Sequence, residues 1–349
     1  MSRSSTEVHF TDRVALKPTK IIGKKVNTRY FVEHNKGFFY VVTNQDTEEF
    51  RLVRFPVNGS LAQSEVVLEG NFLIDEIDMY SENIVIYSRV LGVPVVKIMN
   101  LLTGKVKDLV LPYTCKAYSI QPGSNLDHDS EEFTIVYSSA SVYEDTLVYN
   151  FKKEQLRLIN SKKIIGKPLR TQNIQSLRLF APSIDGTLVP MTLVSHKDIV
   201  KDRKNRLLIK GYGAYGQKSD QSFKYSEAVA VEQGWIIVNT HVRGEGEKGL
   251  NWHRSATKEN KQVSFSDFLA CAYFLIKEGY TQKNLLAGYG SSAGGMLLAQ
   301  AMNLNPELFA AMVLEVPFVD PLSEMLNPDL PLSVTDRDEW GDPIKVRIT

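Results

Sequence analysis

A recurring pair of strand-like segments in the first half of the sequence constrains the fold more than any other feature. Three runs of β-branched and aromatic residues occur, at Phe38–Thr43, Ile84–Ser88 and Phe133–Ser138. Each is followed by a second such run, at Phe50–Phe55, Val93–Asn100 and Thr146–Phe151. The spacings from Tyr40 to Tyr87 to Tyr137 are 47 and 50 residues. Repeats of about 40–50 residues with several strands each are typical of β-propeller blades. The alternative is a β-sandwich whose strands happen to recur.

Only about three blades fit into this half, and a closed propeller needs at least four. We therefore expect a partial β-propeller of about three blades over residues 1–165. Either the chain is incomplete, or its strands form a sheet that stays open or is completed by other copies.

In the second half of the sequence, predicted strands alternate with predicted helices. A hairpin is predicted from Leu177–Ala181 and Val189–Ser195 around the turn dipeptide Asp185-Gly186. Further strands are predicted at Arg206–Lys210, Trp235–His241, Asn284–Gly288 and Ala311–Val316. Helices are predicted at Ser222–Gly234, Ser266–Lys277 and Ala293–Met302. This order favours a mostly parallel, doubly wound α/β domain over residues 166–349, with helices on both faces.

Composition narrows the class of protein. The chain has 41 basic and 40 acidic side chains, a formal net charge of +1, so charge indicates no nucleic-acid partner. Cys115 and Cys271 are too few for a disulfide framework or a zinc cluster. Neither a targeting segment nor a membrane-spanning run is evident. We expect a cytoplasmic protein with reduced thiols.

One motif carries recognisable chemistry. Gly290-Ser291-Ser292-Ala293-Gly294 fits G-x-S-x-G and lies between a predicted strand and a predicted helix, the context of a nucleophile elbow. Small flanking residues let the chain turn sharply and raise the serine hydroxyl, while the following helix directs its free N–H groups at a developing oxyanion. Ser292 is the predicted nucleophile, and the N–H of Ala293 a predicted oxyanion donor. The alternative is a glycine-rich turn that merely packs closely.

Two more glycine clusters need interpretation. Gly211–Gly216 follows an early strand, where such a loop supplies the second oxyanion donor. The Tyr212 hydroxyl can donate that hydrogen bond. The alternative is a flexible loop without a catalytic role.

The second cluster, Gly244–Gly249, matches a dinucleotide fingerprint. It is followed by the polar run Lys258–Gln262 and not by a helix with an apolar stripe, and Glu245 and Glu247 would repel a pyrophosphate. We therefore expect no cofactor and no metal site.

A general base for Ser292 is hard to find. In this fold the acid and then the histidine follow the serine in the chain. The 57 residues after Ser292 contain no histidine, and His253 is the last one in the sequence. Several aspartates do follow, within the proline-rich stretch 317–343. We expect His241 to end a strand and His253 to lie in a surface loop, so neither is expected to replace the missing base.

Together the motifs resemble the prolyl oligopeptidase family of serine peptidases, in particular its prolyl endopeptidase-like branch. The matching segments are Asp185–Thr187, Gly211–Gly213, His241–Gly244, Gly290–Gly295, Asn305–Leu308, Glu315–Phe318 and Glu339–Pro343. The family has a seven-bladed propeller over an α/β-hydrolase domain. By this resemblance Ser292 matches the nucleophile, Ala293 the residue whose N–H serves the oxyanion, and Tyr212 the tyrosine that completes the oxyanion hole.

The sequence departs from the family pattern in three ways. The family's R-G-G-G-E is Arg243-Gly244-Glu245-Gly246-Glu247 here, with one additional acid. The positions of the family's catalytic Asp and His would lie beyond Thr349, and about three blades replace seven. The tail 344–349 no longer resembles the family, as in a splice variant or truncated gene model.

The resemblance implies a serine hydrolase that acts on short peptides, or on acyl esters or thioesters. Without the Asp and His, we expect this chain to be nearly inactive. A non-catalytic isoform with an interaction or regulatory role is the alternative, and a fragment that does not fold stably is a third. We expect neither a nucleic-acid partner nor a membrane span.

Overall fold

A computed structural model describes residues 5–11, 14, 16–164 and 169–345. Its strands are β1 Val8–Thr11, β2 Pro18–Ile22, β3 Tyr30–Asn35, β4 Phe38–Thr43, β5 Arg51–Pro56, β6 Glu65–Leu68, β7 Leu73–Met79, β8 Asn83–Val90, β9 Val93–Asn100, β10 Val106–Asp108, β11 Tyr118–Pro122, β12 Glu132–Ser139, β13 Val142–Asn150, β14 Gln155–Lys162, β15 Ile174–Pro182, β16 Leu188–His196, β17 Arg206–Lys210, β18 Trp235–Thr240, β19 Leu286–Ser291 and β20 Ala311–Glu315. Its helices are α1 Tyr225–Glu232, α2 Leu250–Arg254, α3 Gln262–Lys277, α4 Ala293–Leu304, α5 Pro321–Leu326 and α6 Ser333–Trp340. Short 3-10 turns lie at Leu61–Gln63, Thr171–Asn173, Lys258–Asn260 and Lys283–Leu285.

The strands before residue 163 form three four-stranded sheets, preceded by the antiparallel hairpin β1–β2. Their orders, β3-β4-β5-β6, β7-β8-β9-β10 and β11-β12-β13-β14, follow the chain. Sheets of four sequential strands that repeat along the chain are propeller blades. The prediction of a partial propeller with about three blades is confirmed.

The chain divides into two compact units. The first consists of Met1–Pro112, Ser124–Phe133 and Asn150–Glu154. Within it β4 is buried on both faces, because Phe39 and Val41 belong to one core cluster and Tyr40 and Val42 to another. A strand covered on both sides reads as a continuous apolar run, which is why its sequence shows little alternation.

The second unit consists of Tyr113–Gly123, Thr134–Tyr149 and Gln155–Thr349 and contains a six-stranded sheet. The strand order is β15-β16-β18-β17-β19-β20. The pairs β15–β16 and β16–β18 are antiparallel, whereas β17 pairs in parallel with both β18 and β19, and β19 with β20. The predicted mostly parallel sheet therefore begins with an antiparallel hairpin at its edge.

Helices cover both faces of this sheet. Val194, Leu208 and Ile237 pack with the buried residues of α1. The residues next to them in sequence belong to a larger cluster that includes α3 and α4: Leu193, Ile209 and Val238. Since side chains alternate along a strand, the two clusters lie on opposite faces. The predicted doubly wound arrangement is confirmed.

Several element boundaries differ from the prediction. α3 begins at Gln262, four residues earlier than predicted, and so incorporates the end of a polar run. β19 begins at Leu286, after a 3-10 turn, and continues to Ser291. The short helices α2, α5 and α6 were not predicted. The predicted domain boundary at residue 165 falls outside the described residues and stays a prediction. Among the helices of the described residues, none combines the length and hydrophobicity needed to cross a bilayer.

Candidate functional site

Ser292 occupies the junction between β19 and α4 in an unusual backbone conformation, with φ 54° and ψ −120°. A positive φ is strained for a residue with a side chain. Hydrogen bonds fix it: the Ser292 N–H donates to the Glu315 carbonyl at 3.0 Å, and the Phe318 N–H donates to the Ser292 carbonyl at 3.0 Å. The side chain remains partly exposed. This is the geometry of a nucleophile elbow.

The glycines around Ser292 are required by close backbone contacts. A Cβ atom at Gly290 would lie 2.2 Å from the carbonyl oxygen of Gly294, and one at Gly295 would lie 2.6 Å from Cβ of Pro317. A Cβ at Gly294 would lie 2.4 Å from the carbonyl oxygen of Gly211. Each distance is far below van der Waals contact. The glycines therefore allow the tight turn and bring the 211–216 loop against the start of α4.

This arrangement places the predicted oxyanion donors on neighbouring segments. Ala293 is buried at the first position of α4, where backbone N–H groups have no partner within the helix. Cα of Tyr212 would lie 3.4 Å from a Cβ at Gly294. The Tyr212 ring lies beside the ring of Tyr215, with centroids 6.4 Å apart. The loop that carries Tyr212 thus adjoins the elbow.

Polar side chains hold this loop from two sides. Oε1 of Glu245 accepts hydrogen bonds from the backbone N–H groups of Tyr212 and Gly213, both at 3.0 Å. The Gly213 carbonyl accepts hydrogen bonds from Nζ of Lys261 at 2.6 Å and from the Ser264 hydroxyl at 3.2 Å. The loop is therefore anchored at its N–H groups and at a carbonyl.

The second glycine cluster packs against the first. A Cβ at Gly244 would lie 2.3 Å from the Gly213 carbonyl oxygen, and one at Gly246 would lie 2.2 Å from that of Gly216. The helix that follows, α2, has only five residues. These glycines thus serve close packing of two loops.

A buried ionisable cluster lies behind the loop. His241, Glu245 and Glu247 bring one nitrogen and two carboxylate oxygens within 4.8 Å of one another. Burial, followed by the charge of Glu247, raises the pKa of Glu245 well above its usual value. Nε2 of His241 lies 2.9 Å from the Thr192 hydroxyl, and Nδ1 lies 3.2 Å from Glu247. These donor types suit a metal ion, but both ring nitrogens already face hydrogen-bonding groups of the protein.

The histidines are engaged away from Ser292. His241 directly follows β18, as predicted, and is fully buried. The prediction that His253 lies in a surface loop is wrong, because it lies in α2 and its Nε2 is 2.7 Å from Oε2 of Glu339. Lys261 contacts the same carboxylate at 2.8 Å. Within the described residues, no hydrogen bond joins either imidazole to the Ser292 hydroxyl.

Sequence reasoning found the elbow but missed the side chains that support it. Glu245 was recognised only as an additional acid, and Lys261 only as part of a polar run. Glu339 was noted only as part of a segment that matches the family, and its contacts could not be predicted because its partners lie 78 and 86 residues away in the chain.

Two family models match the sequence. The prolyl oligopeptidase family matches residues 221–348, and the N-terminal β-propeller domain of prolyl oligopeptidase matches residues 1–162. Among curated proteins, Prolyl endopeptidase-like of Xenopus laevis is 32% identical over 98% of this chain and 48% of its own length. Protease 2 of Moraxella lacunata is 30% identical over 99% of this chain and 50% of its own length.

A solved structure shows the same relationship. Oligopeptidase B of Leishmania major superposes with a TM-score of 0.90 at 25% identity, over 98% of this chain and 50% of that protein. The chain thus spans about half the length of the relatives that it matches. Together with the elbow geometry and the blade-like sheets, these matches show that the chain belongs to the prolyl oligopeptidase family of serine peptidases.

Proposed function

We propose that this chain carries the nucleophile and the oxyanion donors of a serine hydrolase, with acyl transfer through Ser292. The observation that supports this most is the strained backbone of Ser292 at the junction of β19 and α4. Strain of this kind persists where the surrounding structure enforces it, and it is concentrated at active sites. A turn that served packing alone would not need a serine in this conformation.

The proposed reaction begins with attack of the Ser292 Oγ on an acyl carbonyl. The Oγ–carbon bond forms, and the negative charge on the carbonyl oxygen is stabilised by the Ala293 N–H and the Tyr212 hydroxyl. The tetrahedral intermediate then collapses, and the bond to the leaving nitrogen or oxygen breaks. A base carries the serine proton to the leaving group. Water releases the acyl group by the same steps in reverse.

We propose that the described residues do not supply the base. His241 and His253 are bound to other groups, and neither imidazole is hydrogen-bonded to the Ser292 hydroxyl. Without a base and its orienting acid, an oxyanion hole and substrate binding leave about 10³–10⁴-fold catalysis over water. We therefore propose that these 349 residues alone are nearly inactive.

For the substrate we propose a short peptide. The support is indirect: several relatives are named as endopeptidases or oligopeptidases. An acyl ester or thioester would react through the same attack and the same oxyanion donors, so the elbow is also compatible with esterase activity.

A thiol in place of the Ser292 hydroxyl tests the nucleophile without requiring a base. At the start of α4, the helix N-terminus should lower the pKa of the thiol introduced by Ser292→Cys. We expect iodoacetamide at pH 7 to alkylate it several-fold faster than the thiol introduced by Ser266→Cys. Ser266 lies in α3 of the same unit, and peptide mapping separates both from Cys115 and Cys271. Alkylation no faster than at the control position would contradict the proposal.

A non-catalytic role is the second candidate, supported by the absence of a hydrogen bond between a described histidine and the Ser292 hydroxyl. An interaction role should survive Ser292→Ala unchanged, whereas a catalytic role should be lost. Comparison of that variant with the unmodified chain in any binding assay separates the two.

A further inference from the structure

Glu245 stands where the family that this chain resembles has a glycine. It is the middle residue of Arg243-Gly244-Glu245-Gly246-Glu247, and only 1% of its surface is exposed. Burial of a carboxyl group is costly unless the protein supplies hydrogen bonds. The proposed roles of Ser292, Ala293 and Tyr212 do not explain why this carboxyl group is buried, so its own contacts must explain it.

The contacts converge on the loop that carries Tyr212. One carboxylate oxygen accepts hydrogen bonds from two successive backbone N–H groups, those of Tyr212 and Gly213. Gly213 has a φ of +70°, and successive N–H groups around such a turn form a concave site for an anion. The other oxygen accepts a hydrogen bond from the Ser219 hydroxyl at 3.4 Å. Glu245 thus supplies the acceptor oxygens for the N–H groups of this turn.

The loop has a second anchor of opposite charge. Lys261 donates to the Gly213 carbonyl and also contacts Glu339. One peptide segment is thereby held at its N–H groups by an acid and at its carbonyl by an amine. Rotation of the Tyr212–Gly213 peptide would break the contact between the Gly213 N–H and Glu245, and rotation of the Gly213–Ala214 peptide would break the contact with Lys261.

We propose that Glu245 is a positioning residue for Tyr212, whose backbone it fixes next to the elbow through the N–H groups of Tyr212 and Gly213. This inference rests on the proposed function in assigning Tyr212 to the oxyanion. The hold on Tyr212, meaning the hydrogen bonds from the N–H groups of Tyr212 and Gly213 to Glu245, does not depend on that assignment.

A pH dependence follows from the surroundings of the carboxyl group. Burial first, and then Glu247, raise the pKa of Glu245. The other ionisable groups that face it are His241, Lys261 and Cys271. Hydrogen bonds to a charged acceptor are stronger than those to a neutral one. The hold on Tyr212 should therefore tighten as pH rises through the raised pKa, and loosen below it.

Hydrogen–deuterium exchange of the peptide that covers residues 211–213 tests this. With intrinsic exchange rates corrected at each pH, we expect Glu245→Ala to lower the protection by about tenfold or more. Glu245→Gln keeps an acceptor oxygen without charge, so its protection should be intermediate and independent of pH. Glu259→Ala, which removes an exposed carboxylate of the same unit, is the matched control and should behave as the unmodified chain.

Two results would overturn the proposal. One is equal protection in Glu245→Ala and Glu259→Ala. The other is a pH step that persists in Glu245→Gln, which would assign the titration to Glu247 or His241. If the alanine variant does not fold, Glu245→Gly restores the family's residue and takes its place.

These readouts do not involve the Ser292 hydroxyl. A failed alkylation test with an intact exchange result would reject the proposed nucleophile and leave the hold on Tyr212 standing. The reverse outcome would reject only the role of Glu245.

Discussion

At the scale of single residues, the elbow depends on glycines, which have no side chain. Ser292 keeps a positive φ because the backbone segments around it pack at distances that only glycine permits. Such strain costs about 1–3 kcal/mol and must be offset by the surrounding contacts. The elbow therefore requires its glycines as much as it requires Ser292.

Gly294→Ala should destabilise the second unit. Its new Cβ would lie 2.4 Å from the Gly211 carbonyl oxygen, so the loop with Tyr212 would have to move. Overpacking of this kind costs about 1–3 kcal/mol. Urea unfolding measures the change. Gly23→Ala, where a Cβ meets nothing within 4 Å, should stay within about 0.5 kcal/mol of the unmodified chain. Equal stability of the two variants would be incompatible with the described packing.

Residues that are adjacent in the chain could be predicted, but those brought together by folding could not. Ser292 and Ala293 follow from one local pattern between a strand and a helix. The contact of Glu245 with Tyr212 spans 33 residues, and that of Lys261 with Gly213 spans 48. Neither spacing has a local signature, because it depends on the order of strands in the sheet.

At the scale of elements, α6 illustrates a helix that tertiary contacts hold. Most of its side chains are polar, so it has no apolar stripe from which a helix could be predicted. Glu339 near its end contacts His253 of α2 and Lys261. Burial opposes the charge, but the hydrogen bond from His253 and the charge of Lys261 hold the pKa of Glu339 below its usual value.

Glu339→Gln should therefore lower stability in a pH-dependent way. A carboxyl group with a lowered pKa in the folded state stabilises the fold above its unfolded pKa of about 4.3. That stabilisation disappears as pH falls through the folded pKa. We expect a loss of about 2 kcal/mol at neutral pH. Denaturant unfolding at several pH values should show the deficit shrinking below about pH 4. The exposed Glu259→Gln is the control, and a deficit independent of pH would contradict the assignment.

The elements with strong apolar patterns were predicted well. β4, β9 and β17 have the predicted bounds, because continuous apolar runs mark buried strands. The start of α3 was missed because its first residue, Gln262, is the end of the polar run Lys258–Gln262. Boundaries set by tertiary contacts rather than by periodicity are the part that sequence reasoning could not supply.

At the scale of the whole molecule, the two compact units should respond separately to mutation. Leu52→Ala removes a fully buried side chain from the first unit, at a cost of about 2–5 kcal/mol. Gly294→Ala acts in the second unit. If the units unfold independently, calorimetry should show two transitions, each lowered by only one of the variants. A single transition that both variants lower equally would contradict this expectation.

We propose that the part of this chain that the structure describes provides a nucleophile elbow without a base for it. Intact mass after treatment with a fluorophosphonate, with a thermal melt in parallel, is the decisive measurement. We expect cooperative melting and no stoichiometric adduct in the unmodified chain. A single adduct that disappears in Ser292→Ala and persists in Ser291→Ala would contradict it, because a base among these residues would then activate Ser292.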